Sequence, residues 1–596
     1  MSLILSRRDI DFLLFEWLDV EALLTRARFE AHDGATVGAV LDLAQDLAER
    51  LFAPHNKLSD RDEPGMREDG TVLLPAQVKI ALDALSASGL LAASHPAEVG
   101  GMQLPFVVDK AAFAWMQAAN PGTSGYALLT MAAANLLIEH GSPEQIEQYA
   151  RPLLQGRFFG TMCLSEPQAG SSLADIRTRA EPDGQGAWRL FGNKMWISGG
   201  EHSLSESIVH LVLARAAGAP AGVKGLSLFI VPRDLPAAGD ETERNDVVLA
   251  GLNHKMGQRG TVNTLLNFGE GRHRPGGRSG AVGYLVGVEG EGLRAMFTMM
   301  NEARISVGAS AAAIGYTGYL HALDYARQRP QGRPPGAKDV AAPQTPIIRH
   351  ADIRRMLLAQ KAYAEGALAL NLYCARLVDE LRTGPAEGRR VTSLLLDLLT
   401  PIAKSWPSQF CLEGNALAIQ VHGGYGYTRD YNVEQFYRDN RLNPIHEGTH
   451  GIQAIDLLGR KVVIDNGAAF EAFRAVVEGA CELAEACGGA ERDHAIAVRR
   501  WLVAISATTK ILHGADDLEL TLANASIYLE AFGHLTIGWI WLEQIVTAHG
   551  KAGDFYDGKR AAAQYFRRWE LPRIGPMLDL LNSLDRTTLD LEPAWL

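Results

Sequence analysis

The pattern of residue types along the chain changes twice, from helical to strand-like and back, and these changes restrict the fold more than any other feature. Residues 36–157 are rich in Ala, Leu, Glu and Gln, with apolar residues at helical spacing. From Phe158 to about Val288, short apolar and β-branched runs alternate with Gly, Pro, Asp and Asn, a pattern typical of strands. The pattern typical of helices returns at Glu291. Strands gathered in one central block argue against the βαβ alternation of a doubly wound nucleotide-binding fold.

The length of 596 residues is more than one hydrophobic core supports, so several domains are expected. The predicted fold class is a multidomain α+β protein with an N-terminal helical domain, a small central β domain (barrel or sandwich), a helical bundle domain and an extra C-terminal helical domain. The predicted boundaries are 1–35 for a leader, 36–157 for the N-terminal helical domain, 158–288 for the β domain, 289–460 for the bundle and 461–596 for the additional helices.

Two further segments carry structural predictions. Pro330 to Pro346 is dense in Pro and Gly, which favours a plain surface loop between helices over a functional lid. In the C-terminal block, apolar residues recur at alternating steps of four and three, so one helix face needs a partner surface. Core packing within the chain is the favoured interpretation of this stripe, and a subunit interface is the alternative. The stripe consists of Leu518, Leu522, Ala525, Leu529 and Phe532.

Charge and hydropathy argue against several classes of function. Acidic residues number 69 against 57 basic ones, and the net charge of -12 argues against a general affinity for nucleic acid or anionic membranes. No apolar run approaches the ~20 residues of a membrane span, and the N-terminal apolar stretch carries charges, unlike a secretory signal. The sequence therefore predicts a cytoplasmic protein without membrane insertion.

The cysteines predict neither disulfides nor a metal site. They are scattered along the chain without a CxxC pair or a metal-ligand spacing, which favours reduced thiols that act as small buried hydrophobes. The cysteines are Cys163, Cys374, Cys411, Cys481 and Cys487.

Three segments place polar groups and glycines where a ligand could meet the backbone. Met162–Ile176 reads MCLSEPQAGSSLADI, with the hydroxyl of Ser165 and a flexible Gly nearby. The string KMWISGGEHS begins at Lys194, and residues 419–453 read IQVHGGYGYTRDYNVEQFYRDNRLNPIHEGTHGIQ. Taken alone, the first is only a polar turn. In this order the three segments resemble the flavin loops and the most specific motif of the acyl-CoA dehydrogenase family.

The resemblance extends over most of the chain. It covers residues 36–460 in the order helical, β and helical, so it concerns architecture as well as motifs. Residues 4–18 and the helices from Ala515 resemble the longer bacterial branch of the family, which includes 3-methylthiopropanoyl-CoA dehydrogenase. The resemblance implies FAD-dependent oxidation of an acyl-CoA to the trans-2-enoyl-CoA in fatty acid β-oxidation. It further implies an electron-transferring flavoprotein as acceptor, and with the apolar stripe it predicts a homodimer.

The proposed base is Glu447. A proton α to a thioester is weakly acidic, so its removal requires a positioned carboxylate and stabilisation of the enolate oxygen. By resemblance, Glu447 takes this proton while the β hydrogen leaves as hydride to FAD, and its backbone N–H polarises the thioester carbonyl. Without the family, a Glu before Gly-Thr is more often a helix-start or surface carboxylate. Some branches place the base where this chain has Ala303, so neighbouring Glu302 is the alternative. Desolvation in a dry pocket would raise the pKa of Glu447.

The resemblance also assigns cofactor contacts. It places Leu164 and Ser165 at the flavin ring and Trp196 and Ser198 along its other edge. Arg329, Gln331, Gln420 and Gly424 fall at the pyrophosphate or adenosine half, and Thr449 is expected to contact the cofactor as well. Arg329 and Gln331 would act across a subunit boundary. Each residue has a structural alternative: Trp196 filling the core, Arg329 capping a helix, or Gly424 permitting a turn. The full cofactor set is Leu164, Ser165, Trp196, Ser198, Arg329, Gln331, Gln420, Gly424 and Thr449.

Substrate contacts are implied on both sides of the base. Arg304 resembles an arginine near the thioester and Ser171 a hydroxyl near the CoA side, while His446 and Gly448 flank Glu447. Departures from the family affect this set. Ser165 and Ser198 stand where many relatives have Thr, Ser172 replaces an Asp, and His446 replaces a Tyr. Because His can titrate near neutral pH, these changes leave substrate range, pocket polarity and pH dependence open.

Rival functions come from the same and from different classes. An acyl-CoA oxidase would share the first half-reaction and return electrons to oxygen. A relative that has lost dehydrogenation could bind nucleic acid, although the net charge and the retained Glu447 argue against it. A purely structural helical protein would bind no coloured cofactor.

Overall fold

A computed structural model describes residues 2–184, 186–236, 241–336, 339 and 341–596. The chain divides into two compact units. One comprises Met1–Ala35, Pro105–Ala114 and Arg304–Leu596; the other comprises Thr36–Leu104 and Trp115–Ala303. The fold is the predicted α+β class, with helices before and after a central group of strands.

The helices are α1 (Arg7–Asp11), α2 (Val20–Leu24), α3 (Gly34–Leu47), α4 (Asn56–Arg61), α5 (Ala76–Ala87), α6 (Phe106–Ala119), α7 (Pro121–His140), α8 (Pro143–Gln145), α9 (Arg151–Leu154), α10 (Gly292–Gln328), α11 (Ala351–Thr383), α12 (Arg389–His422), α13 (Val433–Asn440), α14 (His450–Gly459), α15 (Ala468–Cys487), α16 (Gly489–His513), α17 (Leu518–Leu522), α18 (Ala525–Thr547), α19 (Asp554–Tyr565) and α20 (Ile574–Asn582). The strands are β1 (Gly65–Met66), β2 (Val72–Leu73), β3 (Phe158–Cys163), β4 (Arg179–Pro182), β5 (Trp188–Ser198), β6 (Ser207–Ala216), β7 (Leu226–Pro232), β8 (Asp234–Pro236), β9 (Thr242–Arg244), β10 (Val247–Leu252), β11 (Asn263–Phe268) and β12 (Ala281–Val286).

The central strands form a small closed barrel. Strand β5 pairs with β12, β12 with β7, β7 with β6, and β4 closes the ring by pairing with both β6 and β5. Strands β11 and β10 extend the sheet beyond β5, and β3 extends it beyond β6. The barrel is filled by side chains such as Leu190, Val212 and Phe229, all fully buried. Residues 192–198 of β5 lie beyond the pairing that closes the barrel and pair with β11 instead. Trp196, one of the predicted cofactor residues, lies in this part of the strand.

The helical unit that contains Glu447 depends on one close approach of two helices. Pro407 lies inside α12 and has no backbone N–H, so the carbonyl of Ala403 has no partner in its own helix. A Cβ added at Gly308 of α10 would lie 1.8 Å from that carbonyl oxygen. Glycine at 308 therefore lets α10 pack closely against α12. This contact brings Arg304, one turn earlier on α10, and Lys404 on α12 into the same part of the unit.

The C-terminal helices pack on the bundle of the same unit. The Trp541 indole of α18 donates to the carbonyl of Ala362 in α11 at 3.1 Å, and Trp406 of α12 lies edge-on to His534. The predicted stripe is mostly core, because Ala525, Leu529 and Phe532 are buried. The prediction of one continuous helix face was wrong at its start. The helix breaks after Leu522 of α17, and Leu518 is 70% exposed.

The leader is an integral part of this unit rather than a loose extension. A fully buried ammonium, Lys559 of α19, pairs with Asp9 of α1 and lies 2.9 Å from the carboxylate of Glu365 in α11. The Tyr316 hydroxyl donates to Asp9 at 3.1 Å, and Lys361 pairs with Glu365. Buried charges are tolerated when they are paired and hydrogen-bonded. This buried ion cluster (Asp9, Tyr316, Lys361, Glu365, Lys559) ties the leader to the bundle and to the C-terminal helices.

The Pro- and Gly-rich segment lies between α10 and α11, as predicted. Gln331 and Thr345 pair through their backbones, with the Gln331 N–H donating to Thr345 at 3.0 Å. Ala337, Lys338 and Val340 within this loop lie outside the described residues. In the described part, backbone hydrogen bonds therefore join the two ends of this loop.

Candidate active site

The predicted base lies in a strained turn between α13 and α14. Glu447 has φ +55° and Gly448 has φ +87°, so two successive residues are left-handed. This conformation suits Gly448, where a Cβ would lie 2.5 Å from the Gln453 side-chain nitrogen. It is unfavourable for Glu447 by about 1–3 kcal/mol. Thr449 follows as the N-cap of α14, its hydroxyl accepting from the Ile452 N–H at 3.3 Å. Strain of this kind persists only when the surrounding contacts hold it.

Side chains from two helices hold this turn. Gln453 of α14 donates its amide to the Glu447 carbonyl at 3.1 Å, and Lys404 of α12 donates to the Gly448 carbonyl at 2.7 Å. Within the described ranges, the backbone N–H of Glu447 has no acceptor and its carboxylate forms no hydrogen bond. Both groups that the predicted chemistry requires are therefore available to a ligand.

The environment raises the pKa of Glu447, as the sequence predicts. Burial among protein atoms is the main cause and raises it to about 7, although Arg304 and Lys404 act in the opposite direction. The side chain remains partly accessible to solvent, which fits a group that faces a pocket. A carboxyl group with a pKa near neutrality accepts a proton far more effectively than an ordinary surface Glu. Glu447 therefore has the protonation behaviour of a general base.

Arg304 is buried near Glu447 and is paired. Its guanidinium lies 3.3 Å from the Asp456 carboxylate, which Arg460 contacts at 2.7 Å from the other side. Burial lowers the pKa of Arg304 from its ordinary value, and Asp456 opposes that shift. The Arg304 Nε is buried and finds no acceptor among the described residues. Sequence analysis missed Asp456, although seven residues after Thr449 on a helix is a spacing that shares one face.

The structure shows how the environment of His446 affects its titration. Burial, with a smaller effect of Lys404, lowers the pKa of His446 to about 3. The same two causes lower the pKa of His450. His446 is therefore neutral throughout the physiological range and does not titrate there.

In the other unit, Trp196 occupies a bulge of β5. Opposite it, β11 pairs Thr264 with Ile197 and Leu266 with Lys194, so two residues of β5 face one of β11. Trp196 has φ +65° and its side chain is 59% exposed. The alternative that Trp196 only fills the core was therefore wrong. Ser198, at the end of the same strand, accepts from the Asn263 side chain at 3.1 Å.

A buried ion pair anchors the loop that carries Ser165. The Lys194 ammonium, fully buried, lies 2.9 Å from the Leu164 carbonyl and 2.9 Å from the Glu166 carboxylate. Glu166 also accepts from the backbone and hydroxyl of Thr178. Burial alone would raise the pKa of Glu166, but Lys194 and these donors lower it to about 2. Sequence analysis missed this pair, whose signal is a lysine inside an otherwise buried strand. Leu164 and Ser165 are held in place by it.

The two other serines of this loop are exposed. Ser171 lies on its surface. Ser172, which stands where many relatives have Asp, donates to the Asp175 carboxylate at 2.7 Å. A carboxylate is therefore still present next to this position.

A cleft of about 530 Å³ brings together three of the predicted cofactor residues, Arg329, Gln331 and Gly424. The Arg329 guanidinium lies over the Tyr425 ring at 5.5 Å, and the rings of Tyr325 and His422 stack with their centres 4.3 Å apart. A cation beside aromatic faces suits a phosphate joined to a heteroaromatic ring.

Gly424 and Gln420 border this cleft differently. The left-handed conformation that demands glycine belongs to Gly423, with φ +62°, and a Cβ at Gly424 would meet only open space. The turn therefore does not explain a glycine at 424. Gln420 is exposed in the last turn of α12 and is not part of the cleft lining.

The alternative base is engaged elsewhere. The Glu302 carboxylate accepts from the Asn135 side chain, and Ala303 is buried. The contact holds the Glu302 carboxylate on Asn135, whereas the Glu447 carboxylate forms no hydrogen bond among the described residues.

Several general predictions can be compared with the described part of the chain. All five cysteines are free, and only Cys487 is not fully buried. Over the described residues, no three His, Cys, Asp or Glu side chains are grouped to hold a metal ion. None of the helices there has the length and apolar character needed to cross a bilayer.

Comparison with protein families matches almost the whole chain. Residues 38–157, 161–269 and 290–462 match the N-terminal, middle and C-terminal domains of acyl-CoA dehydrogenases. Residues 470–592 match the family described as acetyl-CoA dehydrogenase C-terminal like.

Individual proteins show the same similarity. The chain is 39% identical to 3-methylmercaptopropionyl-CoA dehydrogenase of Ruegeria pomeroyi, over 94% of each chain. It is 33% identical to the broad-specificity linear acyl-CoA dehydrogenase FadE5 of Mycobacterium tuberculosis, over 98% of each. The solved structure of an acyl-CoA dehydrogenase complexed with FAD from Bacillus anthracis matches with a TM-score of 0.74 at 19% identity, covering 98% of this chain and 95% of that one.

Proposed function

The chain belongs to the acyl-CoA dehydrogenase family, and from this premise we propose that it oxidises an acyl-CoA between Cα and Cβ, with Glu447 as the base. The product is the trans-2-enoyl-CoA. One observation supports the role of Glu447 above all others: a carboxylate with a pKa near 7 sits in a strained turn with no hydrogen-bond partner among the described residues.

Glu447 supplies two of the required groups. Its carboxylate takes the α proton, and its backbone N–H donates to the thioester carbonyl as negative charge develops on that oxygen. Gly448 and Thr449 fix the turn, the first through its left-handed backbone and the second by capping α14. Arg304 adds a buried positive charge near the developing enolate. A neutral His446 shapes the pocket without titrating.

The cofactor is FAD, which when bound supplies the hydride acceptor that no side chain provides. The exposed Trp196 ring and the hydroxyls of Ser165 and Ser198 suit an isoalloxazine edge, with the Leu164 backbone alongside. Arg329, Gln331 and the open face of Gly424 suit the adenosine diphosphate half, with Gln420 at the rim and Thr449 as a further contact. We assign Arg329 and Gln331 to the cofactor of a second subunit. Ser171 serves the CoA side.

Anaerobic mixing tests this proposal. Purified holoenzyme is mixed with a panel of acyl-CoA thioesters while flavin absorbance is followed. Rapid bleaching with at least one thioester is expected, together with near abolition in Glu447→Gln. Glu302→Gln is the matched control, because it removes the carboxylate of the alternative base and should leave bleaching intact. If Glu302→Gln abolished bleaching and Glu447→Gln did not, the base would be reassigned.

Electrons leave to an electron-transferring flavoprotein in this proposal, as part of fatty acid β-oxidation. Reoxidation assays separate this acceptor from oxygen. Stoichiometric peroxide that does not fall when the flavoprotein is added would make the chain an oxidase. Salt-sensitive duplex binding without any bleaching would favour the nucleic-acid-binding alternative.

The homodimer and the cytoplasmic location are part of the same proposal. The C-terminal helices cover a face of their own unit's bundle on which a second dimer could otherwise dock. Light scattering should give a mass near two chains, whereas a mass near four would contradict it. Cell fractionation tests the location.

A further inference from the structure

A buried lysine next to the base has no role in the function proposed above. Lys404 of α12 is fully buried, which is rare for a lysine unless its charge is used or compensated. It has no carboxylate within ion-pairing distance among the described residues, and its one hydrogen bond there, at 2.7 Å, goes to the Gly448 carbonyl. A buried ammonium with a single neutral acceptor is only partly compensated. Its stabilisation must come from a nearby negative charge.

Glu447 provides that charge. The carboxylate acts on Lys404 and raises its pKa, while burial lowers the pKa of Lys404 to about 7 overall. Reciprocally, Lys404 opposes the effect of burial on Glu447. The contact to Gly448 fixes the position of this cation relative to the turn. The charge of Lys404 thus acts on Glu447, and its hydrogen bond holds the next residue of the same turn, Gly448.

The other groups facing Glu447 cannot replace Lys404. Arg304 of α10 also acts on Glu447, but it is already paired with Asp456 of α14. His446 in the turn and His450 at the start of α14 both have lowered pKa values and are neutral at pH 7. Lys404 is therefore the cation beside Glu447 that carries no carboxylate partner of its own among the described residues.

We propose that Lys404 is a positioning residue for Glu447: its ammonium holds the Glu447–Gly448 turn through the Gly448 carbonyl and keeps an unpaired positive charge beside the carboxylate. The role of Glu447 as base rests on the proposed function, whereas the effect of Lys404 on Glu447 does not require it. In the dehydrogenation, this charge favours the ionised form of Glu447 that must be present before the α proton is removed. The balance of the step is one proton from carbon to carboxylate, and Lys404 is neither the donor nor the acceptor of that proton.

A substrate-free titration tests the proposal in the full-length holoenzyme. Infrared difference spectra between wild type and Glu447→Gln isolate the C=O stretch of the protonated Glu447 carboxyl, and its intensity is followed against pH. In a Lys404→Met background, the midpoint should rise by roughly one pH unit or more, because the opposite charge is gone. An unchanged midpoint would overturn the proposal.

Two further variants separate charge from folding. Lys404→Gln keeps a donor for the Gly448 carbonyl without the charge, so it should show the same rise in midpoint and also serves if Lys404→Met fails to fold. Lys461→Met removes a different buried lysine, which is paired with Asp397, and should leave the midpoint in place. A wild-type midpoint in Lys404→Gln, or an equal rise in Lys461→Met, would refute a specific role for Lys404.

The same variants have a kinetic signature if the proposed function holds. The pH at which flavin bleaching is half-maximal should rise with the infrared midpoint. At a pH above both midpoints, Lys404→Gln should bleach faster than Lys404→Met, because it retains the hold on the turn. Failure of every acyl-CoA to bleach the wild-type flavin would refute the proposed function and leave the infrared result valid on its own.

Discussion

The guanidinium of Arg304 lies 3.3 Å from the carboxylate of Asp456, so one of the two cations that act on Glu447 is already balanced by a carboxylate. Burial keeps the pKa of Glu447 as high as about 7, although Arg304 and Lys404 both act to lower it. The pairing with Asp456 balances one of these two positive charges. A base with an ordinary pKa would be ionised at all physiological pH values but would hold an abstracted proton weakly. Asp456 thus helps to set the strength of the base without touching it.

Removing this carboxylate should shift the activity to lower pH. In Asp456→Asn, Arg304 keeps its charge but loses its partner, so it stabilises the Glu447 anion more strongly and lowers its pKa. The midpoint of the pH profile for flavin bleaching should fall below that of wild type. The melting temperature should also fall, because a buried guanidinium is left unpaired. Asp465→Asn, which removes an exposed partner of Arg390, is the control, and a shift of equal size there would contradict the prediction.

Glu447→Gln should stabilise the protein at the expense of activity. The folded-state pKa of about 7 lies above the ordinary value of 4.5, so ionised Glu447 disfavours folding. The contribution of Glu447 to the free energy of unfolding is therefore fully present below pH 4.5 and is lost as pH rises through 7. The amide should therefore gain on the order of 1 to 2 kcal/mol at pH 8 and little at pH 4.5. Melting curves at both pH values check this, and an equal gain at both would contradict it. Bleaching should fall by roughly 10²–10⁴.

Trp196→Gly should separate stability from cofactor binding. Glycine adopts φ +65° without strain, so the flavin-free protein should gain about 1 kcal/mol. Loss of the exposed ring should weaken FAD binding by roughly tenfold. Melting temperature and flavin titration measure the two effects. Trp188→Leu is the matched control: Trp188 packs against Phe229 inside the barrel, so stability should fall there without a specific loss of FAD. Unchanged FAD affinity in Trp196→Gly would remove Trp196 from the cofactor site.

Lys194→Met should unfold the loop that carries Ser165. It leaves the Glu166 carboxylate buried without its cation, which costs about 3–5 kcal/mol. Because the pKa of Glu166 is lowered to about 2, the stability it contributes is present above its ordinary value of 4.5 and disappears as pH falls toward 2. The difference in melting temperature between wild type and variant should therefore be largest at neutral pH and shrink in acid. Adding Glu166→Gln should recover part of the loss, and no recovery would contradict a paired role.

The sequence predicts the order of helices and strands because periodicity and turn residues act locally. In α5, for example, Val78, Ala81, Leu82 and Leu85 recur at helical spacing and are all buried. The same local logic failed for the C-terminal stripe. Its first member, Leu518, belongs to a short separate helix, and a break in the chain after Leu522 does not alter the spacing of the apolar residues.

The sequence predicts a candidate site where a family motif covers consecutive residues, as at Glu447 and Gly448. The site was not predictable where the function of a side chain depends on elements distant in sequence. Arg304 of α10 comes near Lys404 of α12 because Gly308 lets the two helices approach closely, and Asp456 of α14 then pairs with Arg304. The titration of His446 is open from the sequence for the same reason, since burial and a nearby lysine, rather than residue type, set its pKa.

The buried ion cluster has a consequence for how the protein is made. Asp9 and Glu365 both precede their cation, Lys559, in the sequence, so during synthesis the two carboxylates emerge before the lysine does. Until that lysine emerges, the carboxylates of Asp9 and Glu365 face burial without it, so the final packing of the bundle waits until Lys559 has been synthesised. A chain that stops before Lys559 would keep these acidic groups exposed and hydrated.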